Sequence, residues 1–590
     1  MNPPLSYAEL HGRVVNHLDQ IYQQRDNQAL AHQLLSTMGL AEQFLTPEPH
    51  TSHWDESDIA VITYGNSLLK DDEVPLQTLH GFLREYCSDS VSIVHILPFF
   101  PYSSDDGFAV MEYTQVGDMF GAWSDIENIA ADFKLMSDLV INHCSARSRW
   151  FEQLRQGEAP GKDYFIRVPK DADLSRVIRP RTSPLLREVH TPDGTEHIWC
   201  TFSHDQPDLN FANADVLLEF VNIIRLYLDF GVKIFRLDAI AFLWKEMGTT
   251  CINLPQTHEI VRLIRTLIEH HTPDAIIITE TNIPVRENLT YFGNANEAHM
   301  IYNFSLPPLL LHALVSGDCH YLKTWIMSMP QAIMGTAYLN FIASHDGIGL
   351  RPAEGLLEDV EIDELISAME DFGGYISWRA LADNVNRPYE INISLFDALQ
   401  GTLAHGPDQW QEQRFICAHA IMLALEGIPA FYIHSLLATR NDYEKLQNTN
   451  NNRAINRHNW DVDELRELLA SDSHHARIYR KLTRLIAIRR QQPAFHPNAN
   501  QTVLHLGDAI FAFWRESHEH LEGCTRRQDL YCLNNMTDQP QEIVVADINL
   551  TPAGHWRDLI GGLEIDSSNA GAKVQLQPYQ SLWLSHCMTP

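Results

Sequence analysis

The stretch VKIFRLDAIAFLWKEMGTTC, residues 232–251, begins as an apolar, β-branched run and carries two opposite charges within it. Its first nine residues have the length and composition of a buried strand. Arg236 and Asp238 are two positions apart, so their side chains lie on the same face of that strand. Because a buried charge without a partner is costly, the stretch predicts a strand whose arginine and aspartate have a chemical use.

The same pattern, an apolar run that ends in polar residues and is followed by a helical stretch, occurs eight times along the chain. One of the helical stretches, 213–231, has its apolar residues on one face and ends at Gly231. Strands that alternate with helices form parallel sheets, and eight such units favour a closed (β/α)8 TIM barrel over an open doubly wound sheet. The eight runs span 59–65, 91–100, 134–143, 232–240, 275–282, 299–306, 338–347 and 429–437.

The spacing of these runs predicts how the chain is divided. Between the third run and the fourth, residues 145 to about 210 look irregular and are rich in Pro, Arg, Asp and Ser. The last part of the chain alternates apolar and polar residues, as the strands of an antiparallel sheet do. The predicted divisions are an N-terminal helical lead-in at 1–50, a catalytic barrel at 51–144 and 211–495 with an insertion at about 348–410, an inserted subdomain at 145–210 after strand 3, and a C-terminal antiparallel β-sandwich domain at 496–590.

Composition restricts the partners of the chain. Its 590 residues carry a formal net charge of −33, which opposes non-specific binding to nucleic acid or to an anionic membrane. We find no signal peptide and no run of about 18 apolar residues, so a cytoplasmic protein with no membrane span is expected. The nine scattered cysteines contain no C-x-x-C pair and indicate reduced thiols. The sequence predicts no particular oligomeric state.

Polar residues follow the ends of five of the eight predicted strands. A single aspartate at a strand end is more commonly a helix cap, and a single buried histidine is more commonly a core residue. The ends of barrel strands meet at one rim, however, and five such ends together predict an active site there. These strand ends carry Asp105 and Asp106, Asn142 and His143, Arg236 and Asp238, Glu280, and His345 and Asp346.

Four short segments, DLVINH, FRLDAI, TETN and ASHDG, occur in this order and resemble the four regions that mark the α-amylase superfamily of retaining glucosidases and transglucosylases. The resemblance implies that Asp238 is the nucleophile and Glu280 the general acid/base. It also implies that Asp346 holds the sugar hydroxyls and that Arg236 positions Asp238. The residues implied to bind the innermost glucose are Asp105, Phe108, His143 and His345.

Retaining chemistry explains why these residue types are needed. One carboxylate attacks the anomeric carbon and another protonates the leaving oxygen, with the two groups about 5 Å apart. Arg236 can keep Asp238 ionised through its opposite charge. A neighbouring carboxylate raises the pKa of Glu280 in the direction that a general acid needs. The pattern therefore predicts transfer of glucose through a covalent glucosyl-enzyme.

Further segments, among them LPFFPYSSDDGF, IRPRTSPLL, TFSHDQPDLN and INRHNW, resemble the sucrose phosphorylase subfamily, in which inorganic phosphate resolves the glucosyl-enzyme. Phosphate binding favours clustered arginines, and Arg179, Arg181 and Arg457 stand in these segments. The resemblance implies Arg181 and Arg457 as ligands of phosphate. It also places Gln206 near the donor pocket and Tyr389 in a mobile acceptor loop.

Within this subfamily the details lean away from sucrose. The segment TETNIPVRENLTYFG differs from sucrose phosphorylases after Glu280, and Glu390 stands where they tend to have glutamine. HWDESDIAVITYG and NNRAINR are more similar to glucosylglycerate phosphorylases. The expected reaction is reversible phosphorolysis of 2-O-α-D-glucosyl-D-glycerate to α-D-glucose 1-phosphate and D-glycerate. The arginines that hold phosphate could hold the glycerate carboxylate in turn, as a ping-pong mechanism requires.

Three alternatives stay open at this stage. A phosphorylase of sucrose, sucrose 6'-phosphate or glucosylglycerol would share most of these residues, and a glucoside hydrolase would differ in using water. A barrel that only binds a partner would have lost a catalytic carboxylate, whereas all three are present. No cofactor is predicted, since inorganic phosphate is a co-substrate. No metal is predicted either, although amylases that resemble this chain bind calcium near the position of Asn142.

Overall fold

The computed structural model describes residues 5–23, 25–49, 51–181, 183–380, 386–517, 527–550, 554–569 and 571–586. Eight parallel strands form a closed barrel, as the eight apolar runs predict. Each strand pairs with its neighbours in the chain, and β8 pairs with β1 to close the barrel. The strands are β1 (Ala60–Thr63), β2 (Ile93–Ile96), β3 (Lys134–Val140), β4 (Val232–Asp238), β5 (Ile276–Thr279), β6 (Met300–Tyr302), β7 (Ala337–Phe341) and β8 (Ile428–Tyr432).

Helices cover the outside of the barrel and bury their apolar faces against the strands. In the helix Ala214–Asp229 the side chain of Asn213 accepts a hydrogen bond from the amide of Asp215 and caps the first turn. Gly231 follows the helix with φ 86°, a conformation that favours glycine. The other main helices of the barrel are Pro75–Phe82, Trp123–Asp132, Pro255–His271, Leu306–Ser316, His320–Ser328, Gln411–Ala424, Tyr443–Thr449, Val462–Ala470 and His474–Arg489.

Two helices, Tyr7–Ile21 and Gln28–Thr37, precede the barrel within the predicted lead-in. Ser6 begins the first of them with a capping box. His17 Nδ1 lies 2.6 Å from Glu259 Oε1 on a barrel helix, so polar contacts as well as apolar packing attach the lead-in to the barrel.

Two insertions leave the barrel where strands end and form walls above its mouth. The segment after β3 contains the helix Arg149–Gln156 and a hairpin of Leu186–Thr191 with Gly194–Trp199. The segment after β7 contains the helix Asp359–Asp371 and a three-stranded antiparallel sheet whose central strand is Asn386–Asn392. Side chains from both insertions can therefore reach a ligand held at the barrel mouth.

The C-terminal region is an antiparallel β domain with its own core around Trp556, as predicted. Arg515 joins this domain to the barrel by donating hydrogen bonds to the carbonyls of Ala424 and His496 at 2.9 and 2.8 Å. The six-stranded sheet consists of Asn500–Leu504, Ile510–Glu516, Asp529–Asn535, Ser581–His586, His555–Asp558 and Glu564–Asp566, and a second sheet pairs Gln541–Val544 with Lys573–Leu576.

Within the described ranges, no helix has both the length and the apolar character needed to cross a membrane. The cysteines at 87, 144, 200, 251, 319, 417 and 532 are buried free thiols. The remaining two, Cys524 and Cys587, lie outside the described residues.

Candidate active site

A cavity opens at the carboxyl end of the barrel, between the two insertions. It encloses about 710 Å³ of atom-free space, part of which is open to solvent at the mouth. The lining combines strand ends with residues of both insertions, so the topology brings together side chains from distant parts of the sequence. The lining residues that the sequence singles out are Asp105, Phe108, His143, Arg181, Gln206, Arg236, Asp238, Glu280, His345, Asp346 and Tyr389.

Asp238 and Glu280 come from neighbouring strands and face the same cavity. β4 and β5 are in register with Leu237 beside Thr279, so the residue that follows each of these positions lies at the same level. The amide of Ala239 donates a hydrogen bond of 3.0 Å to Glu280 Oε2. Arg236 Nη1 donates one of 2.8 Å to Asp238 Oδ1. The backbone next to one carboxylate therefore positions the other.

Burial and mutual repulsion determine how this carboxyl pair holds protons. Burial raises the pKa of Asp238, Arg236 opposes that rise, and Glu280 adds to it. Burial likewise raises the pKa of Glu280, which has no direct contact with a cation. Two adjacent carboxyls that share one cavity cannot both ionise at low cost. Only Asp238 contacts the guanidinium, so Arg236 favours the ionised form of Asp238 over that of Glu280.

Arg236 is itself held by a buried network that the sequence analysis did not identify. Its guanidinium also pairs with Asp138 of β3, and Asp138 Oδ2 lies 2.7 Å from His95 Nε2 of β2. Asp138 stands beside Arg236 in the parallel register of β3 and β4. The sequence does contain a signal for this pair: Asp138 is a charged residue within the apolar segment DLVINH, and a barrel places that strand beside the strand of Arg236. The network fixes the guanidinium and, through it, the orientation of Asp238.

Asp346 lies in a cluster of cations at the end of β7. Arg453 Nη1 is 2.6 Å from Asp346 Oδ1, and Arg457 Nη2 is 3.7 Å from the same atom. Burial would raise the pKa of Asp346, but Arg453, His345 and Arg457 together hold it well below its usual range. Arg453 also forms a two-point ion pair with Glu390 at 2.8 and 2.9 Å. Glu390 therefore pairs with Arg453 and does not line the cavity.

Two neutral imidazoles and a stacked phenyl ring also line the cavity. His345 stacks on Phe108 with ring centroids 5.1 Å apart. Burial lowers the pKa of His345 to about 3 and also lowers that of His143, so both imidazoles are neutral near pH 7. Gln206 Nε2 lies 3.3 Å from His143 Nε2 and donates to Asp105 Oδ2 at 3.2 Å. These groups offer hydrogen bonds to an uncharged polyol such as a sugar.

Asp105 reaches the cavity from a strained turn. Asp105 and Asp106 both have positive φ, at 55° and 47°, which is uncommon for residues other than glycine. A Cβ at Gly107 would lie 2.7 Å from the carbonyl oxygen of Pro98, so this position requires glycine. Asp106 is not part of the cavity lining and pairs with Arg457.

Of the three arginines that the sequence assigns to an anion, the structure brings only Arg181 to the cavity wall. Its guanidinium lies 5.0 Å from the ring centroid of Tyr389, in cation–π geometry. Arg457 is held behind Asp346 by its pair with Asp106 and by a 2.8 Å hydrogen bond to the carbonyl of His345. Arg179 is half-buried and lies outside the lining. In place of these two, Arg351 and Arg453 line the cavity.

The residues around Asn142 do not fit a calcium ion, because an ammonium group lies among their oxygens. Lys245 Nζ is buried, donates to Asn142 Oδ1 at 2.7 Å and lies 2.6 Å from Asp208 Oδ2. Asp208 Oδ1 also accepts from the amide of Thr201 at 2.8 Å. Lys245 thus ties the insertion after β3 to the barrel. Elsewhere in the described ranges, no three His, Cys, Asp or Glu side chains are grouped to hold a metal.

The fold and the cavity define a class of protein: a (β/α)8 barrel with carboxyls from the ends of β4, β5 and β7 around one pocket. A family model of the α-amylase catalytic domain matches residues 88–350. The solved structure of sucrose 6F-phosphate phosphorylase from Thermoanaerobacter thermosaccharolyticum superposes with a TM-score of 0.70 at 24% identity. The superposition covers 88% of this chain and 98% of that one and shows the shared fold.

Two curated relatives are more similar in sequence. The glucosylglycerate phosphorylase of Spirochaeta thermophila is 42% identical over 90% of this chain and 90% of its own. The glucosylglycerate phosphorylase of Escherichia coli K12 is 39% identical over 97% of this chain and 99% of its own. The chain therefore belongs to the α-amylase family, in the group of glycoside phosphorylases that contains the glucosylglycerate phosphorylases.

Proposed function

We propose that this chain is a retaining glycoside phosphorylase, a hexosyl-transferring enzyme that interconverts 2-O-α-D-glucosyl-D-glycerate and phosphate with α-D-glucose 1-phosphate and D-glycerate. Three relatives named glucosylglycerate phosphorylase are 38 to 42% identical to it. A sucrose phosphorylase from Streptococcus mutans is 28% identical. The similarity therefore favours glycerate over fructose as the acceptor.

In the first step the carboxylate of Asp238 attacks C1 of the glucosyl unit. The bond between C1 and the glycosidic oxygen breaks, and Glu280 gives its proton to that oxygen, so glycerate leaves with a hydroxyl group. The product is a β-glucosyl ester of Asp238. Arg236 keeps Asp238 ionised before the attack, and the Ala239 amide holds Glu280 within reach of the leaving oxygen.

In the second step phosphate replaces glycerate beside Glu280. The Glu280 carboxylate takes a proton from the phosphate as a phosphate oxygen attacks C1, and the ester bond to Asp238 breaks. Two inversions give α-D-glucose 1-phosphate with net retention. Arg181 supports the incoming anion, which the negative charge of the chain would otherwise repel.

The remaining polar groups hold the glucosyl unit. Asp346 stays ionised beside Arg453 and accepts hydrogen bonds from sugar hydroxyls. His143 and His345 are neutral, so each can donate or accept without adding charge near the anomeric centre. Phe108 provides the apolar face against which a sugar ring can lie.

One observation carries the proposal: the cavity that holds Asp238 and Glu280 also presents Arg181, which forms no ion pair with any described residue. A hydrolase needs no free guanidinium beside its carboxyl pair, whereas a phosphorylase must bind an anion there. The two anionic substrates would use this cation in turn, as a ping-pong mechanism requires.

We further propose that the enzyme acts in the cytoplasm without a metal or organic cofactor, with phosphate as co-substrate. Its buried free cysteines suit a reducing compartment. The net charge of −33 disfavours nucleic acid and anionic membranes as partners.

An acceptor screen tests the function. The enzyme is incubated with α-D-glucose 1-phosphate and D-glycerate, glycerol, fructose or fructose 6-phosphate, and released phosphate is measured. We expect D-glycerate to give the highest kcat/KM. Preference for fructose, fructose 6-phosphate or glycerol would replace the proposal by the corresponding phosphorylase. Release of free glucose from the glucoside at a rate independent of phosphate would indicate a hydrolase.

A further inference from the structure

Arg351 is a buried cavity-lining arginine for which the described residues provide no partner. Its relative exposure is 9%, and it forms no hydrogen bond or ion pair with any residue in the described ranges. Arg236 also lines the cavity and is likewise buried, but it has two carboxylate partners, Asp138 and Asp238. A buried guanidinium without an anion is costly, so its position indicates a ligand that supplies one.

The backbone, and not the guanidinium, holds this residue in place. Arg351 begins the short 3-10 turn Arg351–Ala353 in the insertion after β7. The amide of Leu350 donates to the carbonyl of Tyr389 at 2.9 Å, and Ser305 Oγ donates to the carbonyl of Pro352 at 3.0 Å. The side chain is therefore not needed to fold the turn, and its five N–H donors stay available.

The segment that carries Arg351 packs against the strand end that carries Glu280. A Cβ at Gly349 would lie 3.2 Å from Asn282 Nδ2, and Asn282 follows Glu280 by two residues and lines the same cavity. Glu280 protonates the leaving oxygen, so the acceptor lies on this side of the scissile bond. Arg351 is thus next to the acceptor.

Two carboxylates, Glu287 and Glu354, lie near Arg351 but neither pairs with it. Glu287 Oε2 accepts a hydrogen bond of 2.6 Å from Asn253 Nδ2. Glu354 lies in the same segment but is engaged by Arg379 at 2.5 Å. Burial and the nearby Arg379 guanidinium lower the pKa of Arg351. A bound carboxylate would relieve both effects, and the planar guanidinium matches a carboxylate with two parallel hydrogen bonds.

We propose that Arg351 binds the carboxylate of the acceptor, and that this contact makes the enzyme select an anionic acceptor over a neutral polyol. The inference rests on the function proposed above and deepens it. Arg181, on the insertion after β3, then serves phosphate chiefly, and Arg351, on the insertion after β7, serves glycerate. The two insertions thus contribute one cation each, with Arg181 shared by both anions in turn and Arg351 specific to glycerate.

The test compares Arg351→Gln with the wild-type enzyme in three reactions of α-D-glucose 1-phosphate. The first uses D-glycerate as acceptor, the second uses neutral methyl D-glycerate, and the third is arsenolysis, which needs no glycerate. We expect kcat/KM for D-glycerate to fall about 100-fold, with changes below about threefold in the other two reactions. Arg351→Lys should recover part of the loss with D-glycerate, and the exposed Arg286→Gln should match wild type in all three.

The outcomes separate the inference from the proposed function. Equal loss with D-glycerate and its methyl ester, or a matching loss of arsenolysis, would overturn the inference while leaving the function intact. Full activity of Arg351→Gln with D-glycerate would do the same. Failure of the wild-type enzyme to use D-glycerate, with arsenolysis present, would overturn the proposed function and the inference with it.

Discussion

Two sets of arginines surround one cavity and differ in their partners. Arg236, Arg453 and Arg457 are paired with carboxylates of the protein. Arg181 and Arg351 line the cavity without a carboxylate partner among the described residues. The paired set fixes the positions and charges of the catalytic candidates, whereas the unpaired set is available to anions from outside. Arginines near one site thus have two different tasks, and the partner distinguishes them.

The two sets also come from different parts of the fold. The paired arginines stand on β4 and in the segment after β8, close to the barrel itself. Arg181 and Arg351 stand on the insertions after β3 and β7. Barrel strand ends carry the chemistry that many enzymes share, and the loops above them choose the substrate. Substitutions in each set should therefore have different effects on activity and on stability.

The largest loss of activity is expected from a change of Asp238, the carboxylate that Arg236 holds in position. Asp238→Asn removes the nucleophile but keeps its shape and leaves the Arg236 contact partly in place. We expect kcat with α-D-glucose 1-phosphate to fall by at least about 10⁴-fold, because no covalent intermediate can form. Phosphate release measures the loss. An unchanged melting temperature of the variant shows that it is folded. Residual activity above about 1% would contradict the role of Asp238.

The next effect concerns Glu280, the carboxyl without a direct cation. Glu280→Gln should lower kcat about 10³-fold in both directions, since the leaving oxygen no longer receives a proton. Formation of the glucosyl-enzyme from α-D-glucosyl fluoride should be far less affected, because fluoride leaves without protonation. An equal loss with the fluoride would assign Glu280 a different role.

The same residue predicts a pH dependence. Burial raises the pKa of Glu280, so its acid form persists above the usual pH range of a glutamic acid and is lost as the pH rises through the raised value. We therefore expect kcat/KM for glucosylglycerate to decline on the alkaline side. With the Gln variant and the fluoride donor this alkaline decline should disappear, and its persistence would assign the decline to another group.

Arg453→Gln tests the structural task of the paired set. The change leaves Glu390 and Asp346 without their close cation, so we expect a loss of about 3 kcal/mol in the free energy of unfolding and about 10²-fold in kcat. Denaturant titration measures the first and phosphate release the second. Arg155→Gln, which breaks an exposed pair with Glu152, should change stability by less than about 1 kcal/mol. Equal effects of the two variants would remove the distinction.

Arg181→Ala tests the unpaired set and should have the smallest effect. We expect KM for phosphate to rise about 20-fold, with a smaller rise for D-glycerate, and no loss of stability, because no protein carboxylate is left unpaired. Phosphate titration of phosphorolysis and a denaturant titration give the two values. A destabilised variant with unchanged KM would place Arg181 in the paired set.

The barrel and the carboxyl cluster were predictable from sequence because both depend on local signals. Apolar runs that end in polar residues mark the strands, and a charge inside such a run, as at Arg236 and Asp238, has few structural explanations. The antiparallel C-terminal domain follows from alternation in the same way. In these regions the period of the pattern and the topology of a barrel together determine which side chains meet.

The arginines were harder to predict because their task depends on partners that are distant in sequence. Arg457 is separated from Asp106 by 351 positions, and no local pattern reveals that pair. Arg351 stands in a segment, SHDGIGLRPAE, whose turn gives no sign of a cation facing the cavity. Glu390 stands out in the sequence only by its resemblance-based difference from sucrose phosphorylases, and the structure shows that it pairs with Arg453.

Lys245 has a consequence for the environments in which the enzyme can work. The positive charge between Asn142 and Asp208 is covalently part of the chain, so its stoichiometry is one in every folded molecule. A chelator cannot withdraw it, and a fall in free calcium does not empty it. The tie between the insertion and the barrel therefore does not depend on the supply of a divalent cation.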